Sequence, residues 1–151
     1  METAIQRIQE KAESLSPVES STLLATSGRE LETKYADVQN RNQILQWLKN
    51  YISTAENKNS TVPVNLGVDE PALAPLITAY NDLQLKKATL LKSTTELNPI
   101  VTDLTASIEK LRRDIIEALK SVGNSYEITG KQIARELATT KRKAVGIPGQ
   151  A

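Results

Sequence analysis

From Pro99 onward the apolar residues Ile100, Leu104, Ile108, Leu111, Ile115, Ala118 and Val122 fall at spacings of four, four, three, four, three and four. That rhythm turns one continuous apolar stripe toward a partner helix. A strand, whose side chains alternate with a period of two, would scatter the same residues over both faces. Ile133 and Leu137 resume the stripe beyond Gly123-Asn124. The helix is therefore expected to run on through that weak point until Gly146 and Pro148 end it, a length of roughly 70 Å. A helix of that reach needs other helices along its side, which commits the chain to an all-α fold.

The remaining elements follow from punctuation. Ile5, Ile8, Ala12 and Leu15 mark a short amphipathic helix. Ser16-Pro17-Val18-Glu19 then carries a capping residue, a proline suited to the first helical position and a glutamate three residues after the serine, so a second helix should start here. Leu31, Tyr35, Val38, Leu45, Leu48 and Ile52 keep a heptad-like rhythm to about Asn57, some 60 Å of helix. Asn42 falls within that seam, where a polar residue fixes register or partner number. Lys58 to Gly67, reading KNSTVPVNLG, must interrupt the helix. Asp69 is a candidate cap for a middle helix spanning about Pro71 to Thr94, its regular part starting nearer Pro75. Leu73, Leu76, Ile77, Tyr80, Leu83, Leu90 and Leu91 line one of its faces.

Asn98-Pro99 is the next break, because proline pushes the residue before it out of the helical region while itself fitting a first turn. If the chain folds back there, Leu83, Leu90 and Leu91 meet Leu104, Ile108, Leu111 and Ile115 in a packing seam. The expected architecture is a single elongated antiparallel helical bundle over residues 1–151, with two or three long helices and breaks near 58–70 and 98–99. Only 3% of residues are aromatic, with no Phe and one Trp, so burial must come from Leu, Ile, Val and Ala.

Composition excludes several functions. Nineteen Lys and Arg against eighteen Asp and Glu give a net charge of +1, no field for nucleic acid or an anionic membrane. The basic run Lys141, Arg142 and Lys143 suits the end of a helix, where cations complement its dipole. There is no histidine and no cysteine, which removes His-based acid/base catalysis, thiol nucleophiles and the usual zinc ligands. Glu30, Glu32, Asp69, Glu70, Glu109, Asp114 and Glu117 sit where solvated helix faces or caps are expected, not as a pair around a pocket. Gly123 to Lys131, GNSYEITGK, ends in Gly-Lys as a phosphate loop does, but six residues separate its glycines and Gln132 stands where Ser or Thr is needed. Tyr126 is read as a seam residue. No apolar run approaches the 18 residues of a membrane span, and no export signal is present. No catalytic, cofactor-binding or metal-ligating residue is expected, and no cofactor.

One stretch carries a family resemblance. Leu66 to Leu119 contains Leu66-Gly67 with Asp69, then Leu76-Ile77-x-x-Tyr80-Asn81-x-Leu83, Leu90-Leu91, Thr94-Thr95-Glu96 with Asn98-Pro99-x-Val101, and Leu104, Ile108, Leu111-Arg112. It resembles the extracytoplasmic coiled-coil region of polysaccharide co-polymerases, the chain-length determinant proteins fused to bacterial tyrosine autokinases in capsule and exopolysaccharide assembly, in versions from the Bacteroides group. Ile147-Pro148-Gly149 looks like the point where that coiled coil returns toward the membrane. The resemblance implies a non-catalytic periplasmic region of a larger inner-membrane protein. Its partners would be copies of itself, the export machinery and, as a further candidate, the polysaccharide, but no nucleic acid; the isolated fragment is then expected to be monomeric or weakly self-associating. The chain lacks the family's transmembrane helices, Walker motifs and Tyr-rich tail, so the resemblance assigns kinase activity to no residue here. Physical reasoning alone equally admits the helical hairpin of a secretion or efflux adaptor, or a generic coiled-coil scaffold.

Overall fold

A computed structural model describes residues 17–66 and 69–145. Among them are three α-helices and no strand: α1 (Pro17–Ser53), α2 (Ala74–Leu90) and α3 (Pro99–Val145), with a 3-10 turn at Ala55–Asn57. The chain is an all-α bundle in which the two long helices pack together. The expected helix before Ser16, Ser16 itself and the Gly146 to Gly149 ending lie outside the described residues.

Pro17 opens α1, the first-turn position at which a missing N–H costs nothing. Asn98 opens α3: its Oδ1 accepts the Ile100 N–H at 2.9 Å, its carbonyl accepts the Thr102 N–H, and its Nδ2 donates to Thr94 Oγ1. The α3 helix is continuous across Gly123-Asn124.

Three expectations are corrected. First, α2 ends at Leu90, short of Thr94, and Asp69 is not its cap, whereas its start at Ala74 agrees with a regular part beginning near Pro75. At its start the N–H groups of Leu73 and Ala74 both bond the Glu70 carbonyl, making a tight turn, and the capping position falls on Leu73 with no side-chain bond, so Asp69 does not cap. At its end, Lys92 and Ser93 bond carbonyls only three residues back, and the narrowed turn closes the helix at Leu90. Second, α1 stops at Ser53, where Thr54 takes an extended backbone. Third, Ile100 and Tyr35 are exposed. The buried residues Val101, Ile108 and Ile115 stand seven apart, so the heptad position before Ile108 belongs to Val101 and not to Ile100.

The chain divides into two compact units, Met1–Gln39 with Ile128–Ala151, and Asn40–Glu127. In the first, α1 and α3 run antiparallel. A β-carbon on Gly130 would lie 3.4 Å from Gln39 Nε2 and 3.7 Å from Val38, one on Gly28 would lie 3.9 Å from Thr140, and Lys141 Nζ sits 4.0 Å from Glu32. Leu31, Val38, Ile133 and Leu137 are half-buried there.

The second unit holds the enclosed core: Leu45, Leu48 and Ile52 from α1, Val62 from the first connection, Leu73 and Tyr80, and Ile108, Ile115 and Leu119 from α3. Its α1 and α3 are also antiparallel, with Asn42 beside Gly123 and Lys58 bonded to Arg112. Asn42 Oδ1 is buried without a hydrogen-bond partner and would stand 3.6 Å from a β-carbon at Gly123.

Candidate functional site

The second unit concentrates its polar chemistry where the connection after α1 crosses α2. A connection of this length leaves backbone groups that helices would otherwise satisfy, and buried N–H and C=O groups require partners. Here side chains supply them. The Asn81 carboxamide lies against Val62 like a strand partner: its Oδ1 accepts the Val62 N–H at 2.7 Å and its Nδ2 donates to the Val62 carbonyl at 2.9 Å. Tyr51 donates its hydroxyl to the Thr61 carbonyl at 2.9 Å, and Asn57 Nδ2 donates back to the Tyr51 carbonyl. With its backbone so held, Val62 drives its side chain into the core.

Deeper, two donors bridge two acceptors. Arg112 Nη2 reaches the Lys58 carbonyl at 2.6 Å and the Tyr80 hydroxyl at 2.9 Å; Gln84 Nε2 reaches the same two oxygens at 2.8 and 3.1 Å. Tyr80, Gln84 and Arg112 are all buried. Arg112 also pairs with Glu109 one turn earlier, and its guanidinium carbon lies 5.6 Å from the Tyr80 ring centroid. The guanidinium thereby ties the connection, α2 and α3 together through one planar group. Gln84 Oε1 and Arg112 Nε remain without partners. Lys87, buried in the last turn of α2, donates to Asn59 Oδ1 at 3.1 Å while complementing the helix C-terminus.

The sequence-predicted seam divides by depth. Ile108 and Ile115 are enclosed, and Leu83 and Leu111 pack half-buried against the same core. Leu90, Leu91 and Leu104 are half-exposed, and Leu90 and Leu104 face a common apolar cleft of about 510 Å³ completed by Ile100 and Leu85. Tyr126 packs against the core from α3.

The clasp of Tyr80, Asn81, Gln84 and Arg112 was missed by sequence reasoning, which treated Lys58 to Gly67 as an interruption and nothing more. A signal existed. Gln84 and Lys87 follow Tyr80 by four and seven residues and so share its stripe. Polar groups on a buried stripe imply a polar partner across it.

Among the described residues no three His, Cys, Asp or Glu side chains cluster to hold a metal ion, and no helix is long and apolar enough to cross a membrane. What the arrangement does chemically is hold shape: it fixes the connection and the α2–α3 hairpin while leaving aliphatic side chains at the surface. Searches of family models, curated proteins and solved structures give no match to the chain.

Proposed function

We propose that this chain is a non-catalytic periplasmic helical region of an inner-membrane polysaccharide co-polymerase with a tyrosine autokinase, and that it influences polymer length or passage by packing with copies of itself beside the export machinery. The observation that carries the proposal lies in which residues the family resemblance selects. Tyr80, Asn81, Asn98-Pro99 and Arg112 are the least generic of the matching residues, and each has a shape-determining role: a buried hydroxyl acceptor, a backbone clasp, a helix start and a three-way tie. Leucines at helical intervals would match any coiled coil, whereas the Tyr80-Asn81 and Asn98-Pro99 pairs carry the more specific spacings of the resemblance. The lack of His and Cys and the scatter of carboxylates favour a mechanical role over a chemical one.

The parent gene supplies the test. Hydrophobic spans on both sides of this segment and a phosphate-binding loop downstream are expected. In a cell producing the polymer, removing residues 40–127 from a parent protein that still accumulates normally should alter the polymer's length distribution or its export. A parent without membrane spans, or an unchanged polymer, would overturn the proposal.

A further inference from the structure

The part of α1 that belongs to the second unit turns an uncharged face to solvent. Helical geometry sets Asn40, Gln43, Trp47, Asn50 and Tyr51 within about 60° of one line along the helix. The Thr54 hydroxyl, which donates to the Asn50 carbonyl at 2.6 Å, continues that line past the helix end. Tyr51 is half-buried and the others are exposed. Lys49 is the one charged residue between Asn42 and Ala55, and it lines a cleft with Leu119 and Gly123 of α3 on the other side of the helix. Charged residues make up 25% of the chain, so a solvated face without any is a departure from its ordinary surface.

Two of these side chains form a rigid platform. Trp47, the single tryptophan of the chain, is 46% exposed and stacks on Tyr51 with ring centroids 5.1 Å apart and planes 18° from parallel. Tyr51 is itself pinned, since its hydroxyl is committed to the Thr61 carbonyl and its ring packs against the core. The indole is thereby placed before anything binds, and stacking on it costs little ordering entropy. Around it the carboxamides of Asn40, Gln43 and Asn50 each present donors as well as an acceptor.

Aromatic faces and carboxamides without charge suit a ligand that has apolar C–H faces, many hydroxyls and no charge of its own. A sugar ring has all three: its C–H bonds point at the electron-rich face of the indole, and its hydroxyls pair with carboxamides. An anionic ligand would meet no cation on this face. A protein contact also uses Trp and Tyr, but sets them in a wider apolar centre, and half-buried Ile44 is the only aliphatic side chain that shares this face.

We propose that this face of α1 binds a neutral glycan chain, which stacks a sugar ring on Trp47 and lies along the helix across Gln43 and Asn50. The stripe from Asn40 to Thr54 is roughly 21 Å long, room for several sugar units in a row, so its ligand is a polymer and not a monosaccharide. The proposal rests on the preceding section only for the expectation that polymer passes within reach of the chain. An open face encloses no polar group, so it discriminates weakly among neutral sugars.

Affinity electrophoresis of the 151-residue chain in native gels containing dextran, mannan or galactan tests it, with polygalacturonate as the anionic comparison. At least one neutral glycan should retard the chain, and Trp47→Ala should lose that retardation, an affinity loss on the order of tenfold. Gln43→Ala and Asn50→Ala should each weaken binding roughly threefold. Because Trp47 is the only tryptophan, its emission should shift and saturate as the same glycan is titrated. All three positions are exposed, and thermal unfolding checks that the variants fold; should Trp47→Ala lose structure, the two carboxamide variants and the emission of the unsubstituted chain decide. No retardation by any neutral glycan, retardation that the variants keep, or equal binding of polygalacturonate overturns the proposal. No retardation together with a Trp47-dependent change in sedimentation would assign the face to a protein contact instead. Each failure concerns this face alone, since family membership is decided separately by the parent gene and its polymer.

Discussion

Replacing Asn81 by alanine removes both bonds that hold the Val62 backbone. In the parent the carboxamide accepts the Val62 N–H and donates to the Val62 carbonyl, and the Val62 side chain is buried in the core. Each such bond contributes about 1 kcal/mol net, and a group left buried and unpaired costs up to about 3 kcal/mol. The two together give a loss of about 2 to 4 kcal/mol, which for a chain of this size lowers the midpoint of thermal unfolding by about 5 to 15 °C. Asn81→Asp separates the two bonds: the carboxylate still accepts from Val62 N–H but turns a second acceptor toward the Val62 carbonyl. It should therefore be no more stable than the alanine variant, although aspartate is nearly isosteric with asparagine. Denaturant unfolding gives the free energies, and hydrogen exchange at the Val62 amide reports the site itself. An alanine variant with parent stability and parent exchange at Val62 would refute the idea that the carboxamide holds the connection.

Four further outcomes are expected. Ile108→Ala, at an enclosed site, should cost about 2 to 5 kcal/mol in denaturant unfolding, whereas Leu111→Ala, half-buried beside the same core, should cost about half as much. Asn98→Ala should lose about 1 kcal/mol with the cap of α3, while Pro99→Ala should change stability by less than about 0.5 kcal/mol, because Asn98 still caps the helix. Gly123→Ala should raise the unfolding midpoint, gaining about 0.5 to 1 kcal/mol of helix propensity, since its β-carbon would stand at an ordinary 3.6 Å from Asn42. Calorimetry with Mg-ATP should register no saturable heat at micromolar nucleotide.

Helix starts were legible because they are local. Pro17 and Asn98-Pro99 act within one turn, and a residue's own backbone preference settles the outcome. The C-terminal end of α2 was less legible: Pro75 marks the first turn, but Leu90 bounds the helix through a backbone turn that no strongly preferring residue announces. The core stripe of α3 was correct from Ile108 onward, where two heptad positions reinforce each other, and slipped at Ile100, where counting back by fours instead of by seven selected the neighbour of Val101. The clasp was hidden for a different reason. Its acceptors at Lys58, Thr61 and Val62 are main-chain carbonyls, which every residue possesses, so nothing in the sequence singles them out. Only the donor side was visible, as Gln84 and Lys87 on a stripe otherwise led by Leu73 and Tyr80.

That asymmetry governs how such a chain tolerates substitution over time. Asn81, Gln84, Tyr51 and Arg112 grip main-chain atoms of the connection, so most side chains at positions 58 to 61 can drift freely while the grip persists; Asn59, which receives Lys87 through its own amide, and Val62, which fills the core, are the exceptions. The gripping residues have no such freedom, because each is matched to its acceptors by length and by donor geometry. Two descendants of one ancestor could therefore differ throughout most of the connection and still share its path, their kinship preserved in a few polar positions on the three helices that hold it.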